Sequence, residues 1–337
     1  METKSRFDPW FIHDRLVLGL LDEFTAVDVH ARLVPDASGI NKTMNAVTLS
    51  RAVSEYLDAH RTPNGGTEYL AGKLTVGQIV WFEQAFFFKG VSKAFIAGAL
   101  TGPTFQGKLD IAESVTVRGA FNPQRLTSAS SVSHLSGRET QFVLCRVDNI
   151  GNDEIHVTPI LLGHRLNDGA KMDDGYLSTR LHIHPSKVDQ FKGVDFGMRL
   201  NPKDLALLKP HSEEKVKNWF ADILGEPERP KDWGGEQYDL WTSRMTIGGE
   251  HHSAAFMFKG PAAFTEMKIS TLGKNGDQID RIAETDADIL VVQHCHKISS
   301  RVRNMLRAYA LQPGNLRRYM TIDGYETIQI LRHHGHI

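Results

Sequence analysis

The run DILVVQH, Asp288–His294, constrains the fold more than any other stretch of this sequence. It is apolar without alternation, so it reads as a strand buried on both faces, and helices must cover it. Helical patterns flank it at Gly276–Glu284 and Ser299–Leu311, and a second strand, Arg318–Ile322, leads to a last helix over Tyr325–Arg332. Upstream, SEEKVKNWFADIL (Ser212–Leu224) predicts a helix with Ser212 as N-cap, acids in its first turn and Gly225 as its stop. After the linker-like EPERPKD come two strands, Tyr238–Ile247 and Ala254–Lys259, with the turn signal Gly248-Gly249 between them. Helix, hairpin, helix, strand, helix, strand, helix is the order expected of one mixed sheet with helices packed on it.

The first half has a different texture. Leu16–Leu33, Met44–His60 and Val76–Leu100 predict helices. Within the last, Ile79–Leu100 is the most apolar part of the chain. Glu83, Lys89 and Lys93 interrupt it, so it predicts a buried helix or helix pair rather than a membrane span. From Gly107 the pattern becomes β-rich. Leu109–Val117, Gln141–Val147 and Glu154–Leu162 predict strands, with the Ser-rich LTSASSVSHLSG among the separators. HIHPSKVDQF, from His182, fits loops or short strands. At 337 residues the chain suits two domains. The expected division is 1–205, helical to about residue 100 and β-rich after, and 206–337. The class is α/β, α+β over the whole chain.

A net charge of −1 gives no global field toward nucleic acid or membrane, so such affinity must come from a local patch. Two distant cysteines, Cys145 and Cys295, make neither a disulfide framework nor a zinc pattern. The opening METKSRFDPWF lacks the apolar core of a signal peptide. The expectation is a cytoplasmic protein with no membrane partner.

Charges on the hairpin carry the chemistry. Asp239 stands at the head of the first strand and Lys259 at the end of the second. With the order of elements around them, they resemble the PD-(D/E)XK nuclease superfamily, over roughly residues 212–332. That family includes restriction endonucleases, resolvases and defence nucleases. Its core is helix, three-stranded meander, helix, strand, with an acid on the second strand and acid-X-Lys on the third. The resemblance implies a restriction endonuclease-like fold, hydrolysis of phosphodiester bonds in DNA or RNA, a role in defence or DNA processing, and a Mg²⁺ or Mn²⁺ cofactor. Carboxylates would hold the hard cation, and the lysine would orient water or stabilise developing charge.

By this resemblance Asp239 is the metal-binding acid and Lys259 the lysine. Side chains alternate on a strand, so the partner acid belongs at 257, where this sequence has Met257. Three alternatives follow. Glu236, in GGEQYD, supplies the second carboxylate and metal ligand. Or Glu266 and Lys268, in FTEMK, form a second Glu-X-Lys frame. Or the site has lost catalysis and the protein only binds nucleic acid or regulates.

Other features weigh less. Between Ile289 and Ile322 there is no acid, while Arg301, Arg303, Arg307, Arg317 and Arg318 form a candidate phosphate-binding patch. Three His-X-His triplets, at 182/184, 294/296 and 334/336, each lack a third zinc ligand at an expected spacing. LGKNGDQIDR lacks P-loop spacing, and neither a Gly-X-Ser-X-Gly elbow nor a dinucleotide fingerprint occurs. A homodimer is the expected assembly if both strands of a duplex are cut.

Overall fold

The structure, a computed structural model, describes residues 5–97, 102–135, 140–166, 181–227, 237–273 and 277–337. Two compact units divide the chain: Met1–Leu177 with Gln312–Leu316, and Ser178–Leu311 with Arg317–Ile337. The division thus comes earlier than residue 205. Ile183, Val188, Phe191, Leu205 and Leu208 are buried in the core of the second unit, which draws the segment after residue 180 into it.

The first unit runs β1 (Arg6–Ile12), α1 (Asp14–Leu18), α2 (Glu23–Ala31), α3 (Gly39–Ala59), α4 (Gly65–Ala71), β2 (Ile79–Ala85), β3 (Phe87–Lys89) and α5 (Val91–Ile96). It continues with β4 (Thr104–Leu109), β5 (Ala112–Ala120), α6 (Ser131–Leu135), β6 (Thr140–Ile150) and β7 (Glu154–Leu166). Its sheet has the order β2-β6-β7-β5-β4-β3, with β1 added on β7. The long β7 holds β6 along one edge. On its other edge it pairs in parallel with β5 through residues 154–157 and antiparallel with β1 through 161–166.

The expected helix over Val76–Leu100 is strand over Ile79–Ala85 and Phe87–Lys89 and helical over Val91–Ile96. Ile79–Ala85 pairs residue for residue with β6, from Ile79 opposite Arg146 to Ala85 opposite Thr140. The segment misleads because both faces of β2 are covered. Val80 and Phe82 enter the main core, Trp81 on the opposite face is as buried, and no polar alternation survives to mark a strand. Glu83, which looked like an interruption, bonds the buried Arg165 of β7, Nε to Oε2 3.1 Å.

In the second unit α7 (Glu213–Leu224) precedes β8 (Leu240–Ile247), β9 (Glu250–Lys259), α8 (Asp277–Ala283), β10 (Ile289–His294), α9 (Ser300–Ala310), β11 (Arg318–Ile322) and α10 (Gly324–His333). These follow the order read from the sequence. The sheet order is β11-β10-β9-β8, with β8 and β9 antiparallel and β9, β10 and β11 parallel. The fold is therefore mixed α/β in both units. Ser212 caps α7 by accepting the Lys215 N–H, and Gly225 ends it in the left-handed region at φ 70°. Gly248 and Gly249, at φ 61° and 84°, turn the hairpin, and their N–H groups donate to the Asp189 carboxylate at 3.3 and 2.7 Å. HIHPSKVDQF is thus built of short 3₁₀ turns, Pro185–Lys187 and Asp189–Phe191, that hold the hairpin tip. Among the described residues no helix is long and apolar enough to cross a membrane.

Candidate active site

Parallel β9 and β10 finish side by side, His294 opposite Lys259, so their last side chains share the carboxyl edge of the sheet. Asp239 stands just before β8. Its N–H donates to Phe256 O at 2.9 Å, which continues the ladder, and its Oδ2 accepts the Phe258 N–H at 2.5 Å. The carboxylate is thereby held against the strand that ends in Lys259. Burial pushes the Asp239 carboxyl up to about 6, with the Glu213 charge adding to the rise; the Phe258 N–H, Lys259 and Lys217 oppose it.

Glu213 is the residue that sequence reasoning passed over. As the first residue of α7 it read only as an acid in a helix first turn. In the fold its Oε2 accepts the Gly260 N–H at 2.7 Å, one residue beyond Lys259. A Cβ on Gly260 would come within 2.7 Å of the Glu213 Cβ, so glycine allows this close approach. Glu213 also helps burial raise the neighbouring Cys295 thiol to about 12, which makes that cysteine inert as a nucleophile. No local signal marks Glu213, because its role comes from α7 crossing the end of a strand 46 residues later.

A cavity of about 200 Å³ opens beside Glu213 and Lys259, lined by them with Thr265, Glu266, Thr271 and His294 among others; Asp239 does not line it. Lys259 and Glu266 are therefore brought together. Lys268 is exposed and does not line the cavity, so the Glu266/Lys268 frame contributes one residue of its two. Glu266 stands outside any strand, since only Met267 bridges, to Ile298. Glu236 lies outside the described residues. Met257 is buried, 3% exposed, and offers no oxygen. His294 is taken up at both ring nitrogens, by Lys259 O at 3.0 Å and Thr265 O at 2.9 Å, so it is fixed as structure rather than presented to a metal. Among the described residues no three His, Cys, Asp or Glu side chains form a metal-binding group.

The arginine patch is less open than its sequence suggests. Arg317 is 7% exposed, and its guanidinium donates to Thr285 O at 2.8 Å and Ala283 O at 2.6 Å, closing the end of α8. Arg303 bonds the Thr321 hydroxyl and lies 3.8 Å from Asp323, while Arg318 reaches His252 at 3.0 Å. Arg301 is exposed and Arg307 half-buried on α9.

The raised Asp239 carboxyl has a consequence for stability. Below pH 4 the group is protonated in folded and unfolded chains alike and contributes nothing. Between about pH 4 and 6 the unfolded chain ionises first, so the folded state loses stability as pH rises, and the loss persists above 6. Asp239→Asn keeps an acceptor for the Phe258 N–H and removes the charge. It is expected to raise the Tm at pH 8 in chelator while leaving it nearly unchanged at pH 4. An equal effect at both values would mean that the carboxyl titrates normally.

No protein-family model, curated protein or solved structure matches this chain.

Proposed function

We propose that the C-terminal unit is a metal-dependent nuclease of the PD-(D/E)XK kind, hydrolysing phosphodiester bonds of DNA or RNA in the cytoplasm. The observation that carries this reading is that Asp239 and Glu213 are each anchored by one backbone N–H at the same end of β9, beside Lys259. In it Glu213, from α7, stands in for the acid that Met257 lacks.

The donor set suits Mg²⁺ or Mn²⁺. Mg²⁺ is commonly held by one or two carboxylates, with waters and substrate phosphates completing its shell. Asp239 and Glu213 each give one oxygen to a backbone donor, and their second oxygens would be the metal ligands. When bound, the cation would neutralise charge at the phosphate and activate water. The protein's own part is to hold the carboxylates rigid, to set Lys259 where charge develops, and to line the cavity with Glu266 and Thr265. Arg301 and Arg307 on α9 would meet backbone phosphates, giving affinity that falls with salt. A homodimer would set two such sites on opposite strands.

The test is cleavage of plasmid and single-stranded substrates in Mg²⁺ and Mn²⁺, with wild type, Asp239→Ala and Lys259→Ala side by side. Metal-dependent cutting that both substitutions abolish is the expected result. Met257 favours a second reading, a protein that keeps the fold and binds nucleic acid without turnover. Wild type that binds in low salt and never cuts would replace the first reading with this one.

A further inference from the structure

The first unit contains a cavity of about 630 Å³, within the usual range for small-molecule sites. The end of β1, helix α1, the stretch from His30 to Ala37, the near face of α3 and residues 122–127 enclose it. Most of its polar groups are already fastened. The Asn45 amide bridges Val34 N and O, both at 2.9 Å, the Asn122 side chain accepts the Gln124 N–H at 2.9 Å, and Arg125 pairs with Asp14.

Lys42 is fastened only to a neutral group. It stands in the first turn of α3, whose Ser38 N-cap makes no side-chain cap bond. Its ammonium is half-buried and donates to Gln124 O at 2.7 Å, and among the described residues no carboxylate pairs with it. Burial lowers its proton affinity, and no opposing charge restores it. A partly buried cation without an anion beside it gains from a ligand that brings one. The lining carries three cations, Arg15, Lys42 and Arg125, against two acids, Asp14 and Asp36, a net of +1. Leu18, Leu33 and Leu49 supply an apolar wall.

We propose that this cavity binds a small organic anion, its carboxylate or phosphate head on Lys42 and its apolar body against Leu18, Leu33 and Leu49. The site is independent of the nuclease reading. The experiment is thermal unfolding of the full chain and its Lys42→Met variant, each with octanoate, adenosine monophosphate, their neutral counterparts octanol and adenosine, and inorganic phosphate. One organic anion is expected to raise the wild-type Tm by several degrees at millimolar concentration, and which one does so distinguishes a carboxylate head from a phosphate head. Its neutral counterpart and inorganic phosphate should raise it far less. In Lys42→Met the anion-induced rise should vanish, while the ligand-free Tm stays level or increases because an uncompensated charge has gone. The proposal is overturned if neither organic anion raises the wild-type Tm beyond its neutral counterpart, or if Lys42→Met keeps the full rise.

Discussion

Under the proposed nuclease function, Glu213→Gln is expected to lower metal-dependent cleavage about 100-fold, or about 2.7 kcal/mol of barrier, with little change in Tm. The substitution preserves size and leaves a carbonyl oxygen to accept the Gly260 N–H, now at 2.7 Å from the carboxylate. What it removes is negative charge, and charge is what a cation at Asp239 would need in the absence of an acid at 257. A second effect has the opposite sign. Glu213 is one cause of the raised Asp239 carboxyl, so its neutralisation should let Asp239 ionise at lower pH. Rates for wild type and Glu213→Gln across pH, with the metal held saturating, separate the two. If the variant cuts as fast as wild type, Glu213 only ties α7 to the strand end, and the second carboxylate must be sought elsewhere.

Arg165→Met is expected to cost about 3–5 kcal/mol of stability, the usual loss when one partner of a buried ion pair is removed. Arg165 and Glu83 are 0% and 4% exposed in their side chains. The guanidinium lies 5.7, 4.9 and 4.7 Å from the ring centroids of Phe7, Trp81 and Phe142. Those rings supply cation–π attraction to the guanidinium. The double variant Arg165→Met with Glu83→Leu removes both charges of the pair and should lose less than the single. Urea unfolding of wild type, Arg165→Met, Glu83→Leu and the double variant decides it. A double variant that loses the sum of the two single effects would mean that Arg165 and Glu83 contribute independently and that the pairing itself adds nothing.

Several elements could be read in the sequence because local chemistry alone determines them. The strand Arg318–Ile322 is bounded as its apolar run predicts, α7 begins at the Ser212 cap and ends at Gly225, and the hairpin turns at Gly248-Gly249. Each depends on neighbours within about five residues, through a cap, a stop or a positive φ. That Asp288–His294 is a buried strand of one mixed sheet was also legible, while its parallel pairing with β9 and β11 was settled by the fold.

Tertiary structure decided what no local pattern encodes. Ile79–Ala85 became a strand because β6 offered its whole edge, and burial on both faces erased the period that would have announced it. Arg317, one of five arginines that looked alike in sequence, turned inward to close α8 because two backbone carbonyls there needed donors. Glu213 came to the end of β9 through the packing of α7, and there it meets an aspartate 26 residues away. The sequence by itself determined which charges were available and where each helix and turn would begin. Only the packed sheet decided which carboxylates would share an edge, because that depends on side chains distant in sequence losing water together.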